Sequence, residues 1–174
     1  DTFDVLSLPQ PDAIASFNTG GATYFITANE GDARVGVTDE ATFADASYVL
    51  DPELFPNAAA LKANSELGRL RVLTNMGDTD GDGDYDQIYT YGGRGFSIFR
   101  QETDGSLTKV RESGSEFERI LADQFPTLFN VENNSAIDNR SDNKGPEPEG
   151  VTIGMVGDRL YAFITLERVG GVMI

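Results

Sequence analysis

The protein has 174 residues, of which 29 are Asp or Glu and 13 are Lys or Arg, so its formal net charge is −16 at pH 7. It contains no histidine and no cysteine, which excludes Ser-His-Asp triads, thiolate nucleophiles, zinc fingers, haem ligation and disulfides. The chemistry that remains is that of carboxylates, hydroxyls and carbonyls, which suit hard cations such as Ca²⁺ and Mg²⁺.

Charge and hydrophobicity also limit the partners. A chain this acidic repels phosphate backbones, so we expect no nucleic-acid partner. No apolar run approaches the roughly 20 residues that a membrane helix needs, so we expect no membrane insertion of this segment. Hydrophobic residues make up 39% of the chain, which is enough to bury the core of a folded domain.

Short β-rich segments bounded by Gly, Asp, Asn or Pro predict a mainly β fold. In chain order the predicted strands are Thr2–Leu8, Ala13–Phe17, Thr23–Ala28, Arg69–Thr74, Gln87–Tyr91, Phe96–Phe99, Leu107–Arg111, Val151–Val156, Leu160–Leu166 and Gly171–Ile174. Two short helices are predicted as insertions. One covers Asn57–Lys62, and the other begins at a capping box at Ser115 and ends before Pro126.

An internal repeat favours a modular β architecture. Residues Pro9 to Glu30 resemble residues Pro146 to Glu167, because each stretch has a Pro-x-Pro start, a hairpin with an aromatic strand and an acidic end. Recurring hairpin units are typical of β-propeller blades. The alternative is chance similarity within an antiparallel sandwich.

The length of the chain constrains this architecture. At roughly 40–50 residues per blade, the chain provides about three blades, fewer than the four to eight that close a ring. We therefore expect residues 1–174 to be a fragment of a single β-propeller domain that is incomplete at both ends. Open blade edges leave strands unpaired, so self-association of the chain is expected.

The most specific motif is the acidic loop Gly77–Asp86. Asp78, Asp80 and Asp82 occupy positions 1, 3 and 5 of an EF-hand-like calcium loop, and Gly83 occupies position 6. Five carboxylates within nine residues repel one another strongly unless a cation lies among them. The loop therefore predicts Ca²⁺ as a cofactor.

The loop departs from an EF-hand in two ways. Position 12 is Tyr89 rather than Glu, and the flanking segments predict strands rather than helices. We expect Asp84 to contribute its carbonyl and Asp86 to bind the ion directly or through water. The predicted role is structural, and a solvated acidic turn is the alternative.

Other carboxylates lie beside Arg or Lys at predicted strand ends and in Gly- or Pro-rich loops. These stretches are Asn29–Arg34, Gly92–Arg94, Asp138–Asp142, Lys144–Gly150 and Leu166–Arg168. In a propeller such loops gather at one mouth of the channel, where acidic groups hold Ca²⁺ and cations hold an anion. For Arg34, Arg94 and Arg168 the alternative is an ion pair that ties neighbouring blades together.

Taken together and in order, these motifs resemble the choice-of-anchor I family, from about Asn29 to the C-terminus. That family includes mesenchyme-specific cell surface glycoproteins and secreted proteins similar to alkaline phosphatases and phytases. The resemblance implies a β-propeller located outside the cytoplasm, whether secreted, periplasmic or on the cell surface. It also implies a Ca²⁺-dependent hydrolase of phosphoric monoesters, in which bound Ca²⁺ activates water against a phosphate ester substrate.

The resemblance further implies roles for individual residues. The channel metal ligands would be Glu30, Asp32, Glu147, Glu149 and Glu167, and the phosphate clamps would be Arg94, Lys144 and Arg168. The residues taking part in catalysis would be Glu149, Glu167 and the same three basic side chains. Arginine suits a clamp because its planar fork holds two oxygens of one phosphate. The alternative function is a non-catalytic calcium-binding surface or matrix protein involved in adhesion or mineral contact.

Overall fold

The computed structural model describes residues 3–33, 36–37, 39–132 and 135–174. In chain order the strands are β1 (Val5–Leu8), β2 (Ala13–Thr19), β3 (Ala22–Asn29), β4 (Glu40–Thr42), β5 (Arg71–Leu73), β6 (Ile88–Tyr91), β7 (Gly95–Gln101), β8 (Leu107–Glu112), β9 (Pro148–Val156), β10 (Arg159–Leu166) and β11 (Val172–Met173). The helices are α1 (Ala58–Leu61), α2 (Glu116–Gln124) and a 3-10 turn at Pro126–Leu128.

The chain divides into two compact units. Unit 1 comprises Asp1–Leu8, Ala33–Tyr91 and Ser141–Asn143, and unit 2 comprises Pro9–Asp32, Gly92–Arg140 and Lys144–Ile174. Each unit has its own hydrophobic core.

Unit 1 contains two strand pairs and helix α1. Strands β1 and β6 pair in parallel, with Val5 opposite Ile88, and strands β4 and β5 pair in antiparallel fashion. Its core consists of Phe43, Tyr48, Leu50, Leu67, Val72 and Ile88. The ring of Tyr85 stacks on Tyr48 with 4.1 Å between ring centroids, so the end of the acidic loop packs on this core.

Unit 2 contains two antiparallel sheets, with strand orders β2-β3-β7-β8 and β11-β10-β9. Its core takes Ile26 and Ala28 from β3, Ile164 and Leu166 from β10, and Phe117 and Leu121 from α2. The apolar stripe of α2 is therefore buried together with residues of both sheets.

The mainly β class and all ten predicted strands are confirmed, although the bounds shift by a few residues and Thr2 lies outside the described residues. Both helices are confirmed at Ala58–Leu61 and Glu116–Gln124, but Ser115 makes no side-chain capping bond. Strand β4 was not expected, because three residues carry no readable alternation. The described sheets have two, two, three and four strands and none closes into a ring, so the propeller stays a prediction.

The internal repeat corresponds to two similar hairpins. Strands β2 and β3 form one, and β9 and β10 form the other. The middle residue of each Pro-x-Pro start has a positive φ, 43° at Gln10 and 52° at Glu147. An acidic residue follows the second strand of each hairpin, Glu30 after β3 and Glu167 after β10. Among the described helices, none is long and apolar enough to cross a bilayer.

Candidate functional site

Three glutamates of unit 2 bring their carboxylates together. One oxygen each of Glu30, Glu147 and Glu167 lies within 4.8 Å of the other two. Glu30 and Glu167 follow the second strand of the two repeated hairpins, and Glu147 precedes the first strand of the second hairpin. The glutamate cluster, as we call these three residues, is therefore assembled by the repeat.

The end of β3 is held by a buried hydrogen-bond network. The hydroxyl of Thr27 donates to Asn29 Oδ1 at 2.8 Å, and Asn29 Nδ2 donates to the hydroxyl of Ser97 on β7 at 2.9 Å. On the other side of Glu30, the N–H of Gly31 donates to the carbonyl of Gln10 at 3.0 Å. Glu30 is thus fixed between two anchored neighbours.

Glu30 itself is 8% exposed. Within the described part of the chain, no donor hydrogen-bonds its carboxylate and no cation pairs with it. Burial, and after it the charges of Asp32, Glu147, Asp12 and Glu167, together raise the pKa of Glu30 from 4.5 to about 7.

Glu147, which is 1% exposed, has the opposite environment. Its Oε1 accepts from the guanidinium of Arg140, and its Oε2 accepts from Arg168 Nε at 2.8 Å. Arg168 Nη1 also donates to Glu132 Oε1 at 3.2 Å, and Arg140 Nη1 lies 3.8 Å from the other oxygen of Glu132. Both guanidinium groups are therefore engaged by Glu132 and Glu147.

Glu167 completes the cluster at its solvent-exposed side. The N–H of Glu167 donates to the carbonyl of Glu147 at 2.9 Å, which ties the two hairpin ends together. Burial raises the pKa of Glu167, and a hydrogen bond shared with the Glu147 carboxylate adds to this effect, whereas the charge of Arg168 opposes it. The Glu147 carboxylate in turn raises the pKa of Arg168 above its usual value.

The acidic loop of unit 1 is folded by hydrogen bonds to its own aspartates. The carboxylate of Asp78 accepts from the N–H groups of Gly81 at 2.7 Å and Gly83 at 3.1 Å. The N–H of Asp86 donates to the carbonyl of Gly77 at 2.8 Å. The base of the loop is closed in this way, and its first aspartate has a fixed orientation.

Two groups of three carboxylates form at this loop, and Asp86 belongs to both. Oxygens of Asp78, Asp80 and Asp86 lie within 4.8 Å of one another, and so do oxygens of Asp51, Asp84 and Asp86. Asp84 Oδ1 is buried and has no hydrogen-bond partner among the described residues. This all-oxygen donor set fits a hard cation such as Ca²⁺.

Hydrogen bonds lower the pKa values of these aspartates, whereas burial and neighbouring negative charges raise them. Thr79 donates to Asp86 Oδ2 from both its hydroxyl and its N–H at 2.6 Å, which lowers the pKa of Asp86. Burial raises the pKa of Asp84, and the charge of Asp82 adds to it. For Asp80 the N–H of Asp82 lowers the pKa, but burial and the neighbouring carboxylates outweigh it and the pKa is raised.

Asp51 is a member of this site that was not predicted from the sequence. It lies far from the loop along the chain, and its position before Pro52 predicts only a turn. A parallel bridge between Leu50 and Tyr85 and a 3.1 Å bond from Asp51 N–H to the carbonyl of Tyr85 bring it to the loop. Such a pairing between distant segments has no local signal.

The other predicted site residues lie elsewhere. Asp32 and Glu149 are exposed and outside the glutamate cluster, although their charges affect the pKa values of Glu30 and Glu167, respectively. Asp82 belongs to neither aspartate group, and its Oδ1 accepts from the N–H of Asp84 at 3.2 Å.

Of the three predicted phosphate clamps, the two arginines are bonded to glutamates and the lysine is buried. Arg94 Nη1 donates to Glu118 Oε1 at 2.9 Å, Arg168 pairs with glutamates, and Lys144 is 4% exposed. Pairing of arginine with carboxylate is thus observed for Arg94 and Arg168, whereas Arg34 lies outside the described residues.

Fold and sites define a mainly β protein with carboxylate clusters suited to hard cations. A profile of the choice-of-anchor I domain matches residues 1–174, and the chain belongs to this family. It is 38% identical to Gigasin-3a of Magallana gigas over 121 residues, which cover 66% of this chain and 41% of the relative. It is 26% identical to the mesenchyme-specific cell surface glycoprotein of Strongylocentrotus purpuratus, in an alignment that covers 99% of this chain and 26% of the relative. The chain therefore spans less than half of either relative, and no solved structure matches it.

Proposed function

We propose that this domain is a non-catalytic calcium-binding module of a surface-associated protein. The observation that carries the proposal is the aspartate site of unit 1, where five carboxylates form two groups that share Asp86. The buried Asp84 Oδ1, which has no partner among the described residues, is the kind of atom that a bound cation satisfies. The surface location rests on the family and on the relative that is named a cell surface glycoprotein.

The role proposed for the ion is structural. Asp51 and the loop come from segments that are distant in sequence, and Tyr85 of the loop stacks on the core residue Tyr48. A cation bound by Asp51, Asp84 and Asp86 would hold these segments together. Ion binding would then stabilise the folded unit 1, because ligands that bind only the folded state add to its stability.

The second candidate is the phosphoesterase that the family resemblance implies. The glutamate cluster favours it, because carboxylates beside two arginines could hold a metal ion and a phosphate. However, Arg94 bonds to Glu118, and Arg168 bonds to Glu132 and Glu147. A clamp made from these side chains would have to break those pairs first, which is why the non-catalytic function is preferred.

Calcium titration by calorimetry tests the proposal. Asp80→Asn and Asp84→Asn remove one ligand charge from each aspartate group, so we expect each variant to bind Ca²⁺ more weakly or to lose a site. At a Ca²⁺ concentration about 100 times the Kd, the wild type should gain ~2.7 kcal/mol of unfolding free energy, and the variants should gain less. Asp123→Asn, which removes an exposed charge from α2, is the matched control.

Two results would contradict this proposal. Unchanged Ca²⁺ stoichiometry and affinity in both loop variants would remove the acidic loop from the metal sites. Ca²⁺-dependent hydrolysis of an aryl phosphate or of phytate, abolished by a chelator, would replace the non-catalytic function with the phosphoesterase.

A further inference from the structure

We infer that Glu30, Glu147 and Glu167 of unit 2 form a second site for a hard divalent cation such as Ca²⁺. This site is independent of the aspartate site in unit 1, on which the proposed function rests, because the two share no residue.

The first observation is the state of Glu30. The residue is 8% exposed, and no hydrogen bond or ion pair satisfies its carboxylate within the described residues. Burying an ionised carboxylate without a partner is costly, and buried charges are normally paired or bound to a metal. Its carboxylate instead faces two other carboxylates, those of Glu147 and Glu167.

The neighbouring cations do not satisfy Glu30. Arg140 and Arg168 are bonded to Glu147 and Glu132. A proton shared between Glu147 and Glu167 would satisfy that pair but would leave Glu30 without a partner. The four carboxylates of Glu30, Glu132, Glu147 and Glu167 outnumber the two guanidinium groups, and the charge of Asp32 adds to the excess, so a divalent cation would offset negative charge at this place.

The spacing of the oxygens is compatible with one shared cation. Two oxygens bound to the same Ca²⁺ at about 2.3–2.6 Å lie at most roughly 5 Å apart. The three glutamate oxygens lie within 4.8 Å of one another. Small shifts of these side chains would bring all three oxygens onto a single Ca²⁺, and the exposed side at Glu167 leaves room for water ligands.

Both oxygens of Glu147 already accept one arginine bond each. A carboxylate has about four lone-pair positions, so Glu147 can bind an ion and keep both bonds. The arginines would hold this ligand in place while Glu30 and Glu167 bind from the two hairpin ends. With three protein carboxylates and water, we expect a Kd of about 0.1–1 mM, as in extracellular calcium modules.

Equilibrium dialysis with ⁴⁵Ca²⁺ at pH 7.5 tests the site. Glu30→Gln preserves shape and removes no hydrogen bond of Glu30, so it is expected to fold, and Glu167→Gln is the second variant. Each should bind one Ca²⁺ fewer than the wild type and show a smaller rise in Tm with 10 mM Ca²⁺. Asp158→Asn, an exposed charge in the turn between β9 and β10, is the matched control and should match the wild type.

The same variants in an Asp80→Asn/Asp84→Asn background separate this site from the aspartate site. If the glutamate site exists, adding Glu30→Gln to this background lowers the number of bound Ca²⁺ ions by one. This result does not depend on whether the aspartate loop binds Ca²⁺, so it is separate from the test of the proposed function. Equal stoichiometry in wild type, Glu30→Gln and Glu167→Gln in both backgrounds would overturn the inference.

Discussion

Glu147 and Glu149 show how strongly one residue's environment depends on backbone geometry. They are two positions apart in Pro146-Glu147-Pro148-Glu149, yet Glu147 is 1% exposed and bonded to two arginines while Glu149 is exposed on β9. Glu147 has a φ of 52°, a left-handed conformation that is uncommon for residues other than glycine. This local turn directs Glu147 toward Glu30 and excludes Glu149 from the cluster.

Glu30 predicts a pH dependence of stability in the absence of divalent cations. Its pKa is raised from 4.5 to about 7 by burial first and by neighbouring carboxylates second. The folded state therefore keeps a proton that the unfolded state loses, and this contribution to stability is lost as the pH rises from about 4.5 to 7. Urea unfolding in EDTA at several pH values should show that the wild type loses more stability over this range than Glu30→Gln.

Comparing the wild type with Glu30→Gln isolates the contribution of Glu30. Glu167 also has a raised pKa that acts in the same direction, but it is present in both proteins. Above pH 7 in EDTA, Glu30→Gln should be more stable than the wild type, and Ca²⁺ should reverse that order. A difference between the two proteins that stays constant from pH 4.5 to 8 would contradict the assignment.

At the scale of elements, the acidic loop depends on glycines with distinct roles. Gly77 has a φ of 107°, and a Cβ there would lie 2.3 Å from the carbonyl oxygen of Gln87. Gly81 has a φ of 84°, but a Cβ there would meet no atom within 4 Å. One position therefore combines conformational strain with a steric clash, and the other has conformational strain alone.

We expect Gly77→Ala to lower the unfolding free energy by more than ~2 kcal/mol, since the clash is with main chain that closes the loop. Gly81→Ala should cost only about 1 kcal/mol, the usual penalty for a left-handed residue. Chemical denaturation in EDTA measures both without a contribution from bound ions. Equal losses in the two variants would show that the base of the loop is not closed as described.

The repeated hairpins explain why the glutamate cluster was partly predictable. Each hairpin ends in an acidic residue, and equivalent ends of repeated strands lie on the same side of an assembly of such units. The hairpin pattern alone does not predict Arg140 and Glu132, which lie between the repeats and enclose Glu147 through ion pairs. In the sequence, Arg140 lies in the charged stretch Asp138–Asp142, but nothing there indicates that it pairs with Glu147 or that Glu132 takes part.

At the scale of the whole molecule, strand β8 pairs with β7 on one side and forms an edge of the four-stranded sheet, with no second partner strand among the described residues, and all six of its residues are exposed. Leu107 and Val110 lie on it at 54% and 49% exposure. Edge strands of this kind template pairing with another chain, whereas a net charge of −16 opposes association.

We therefore predict that self-association increases with ionic strength, because salt screens the charge repulsion and leaves edge pairing intact. Sedimentation velocity at low and high salt should show larger species at high salt. Leu107→Lys/Val110→Lys should reduce them, whereas Leu54→Lys, at an exposed position outside any strand, should not. A monomer under both conditions would contradict this prediction.

The amino-acid sequence by itself determined the mainly β class, the acidic loop, both helices and ten of the eleven strands found in the described residues, because these depend on side-chain alternation, turn residues and local motifs. It also indicated oxygen chemistry, because histidine and cysteine are absent. The tertiary structure alone decided which carboxylates meet. Asp51 joins Asp84 and Asp86, and Glu147 rather than Glu149 joins Glu30, because these contacts depend on strand pairing and backbone turns between segments far apart in the chain.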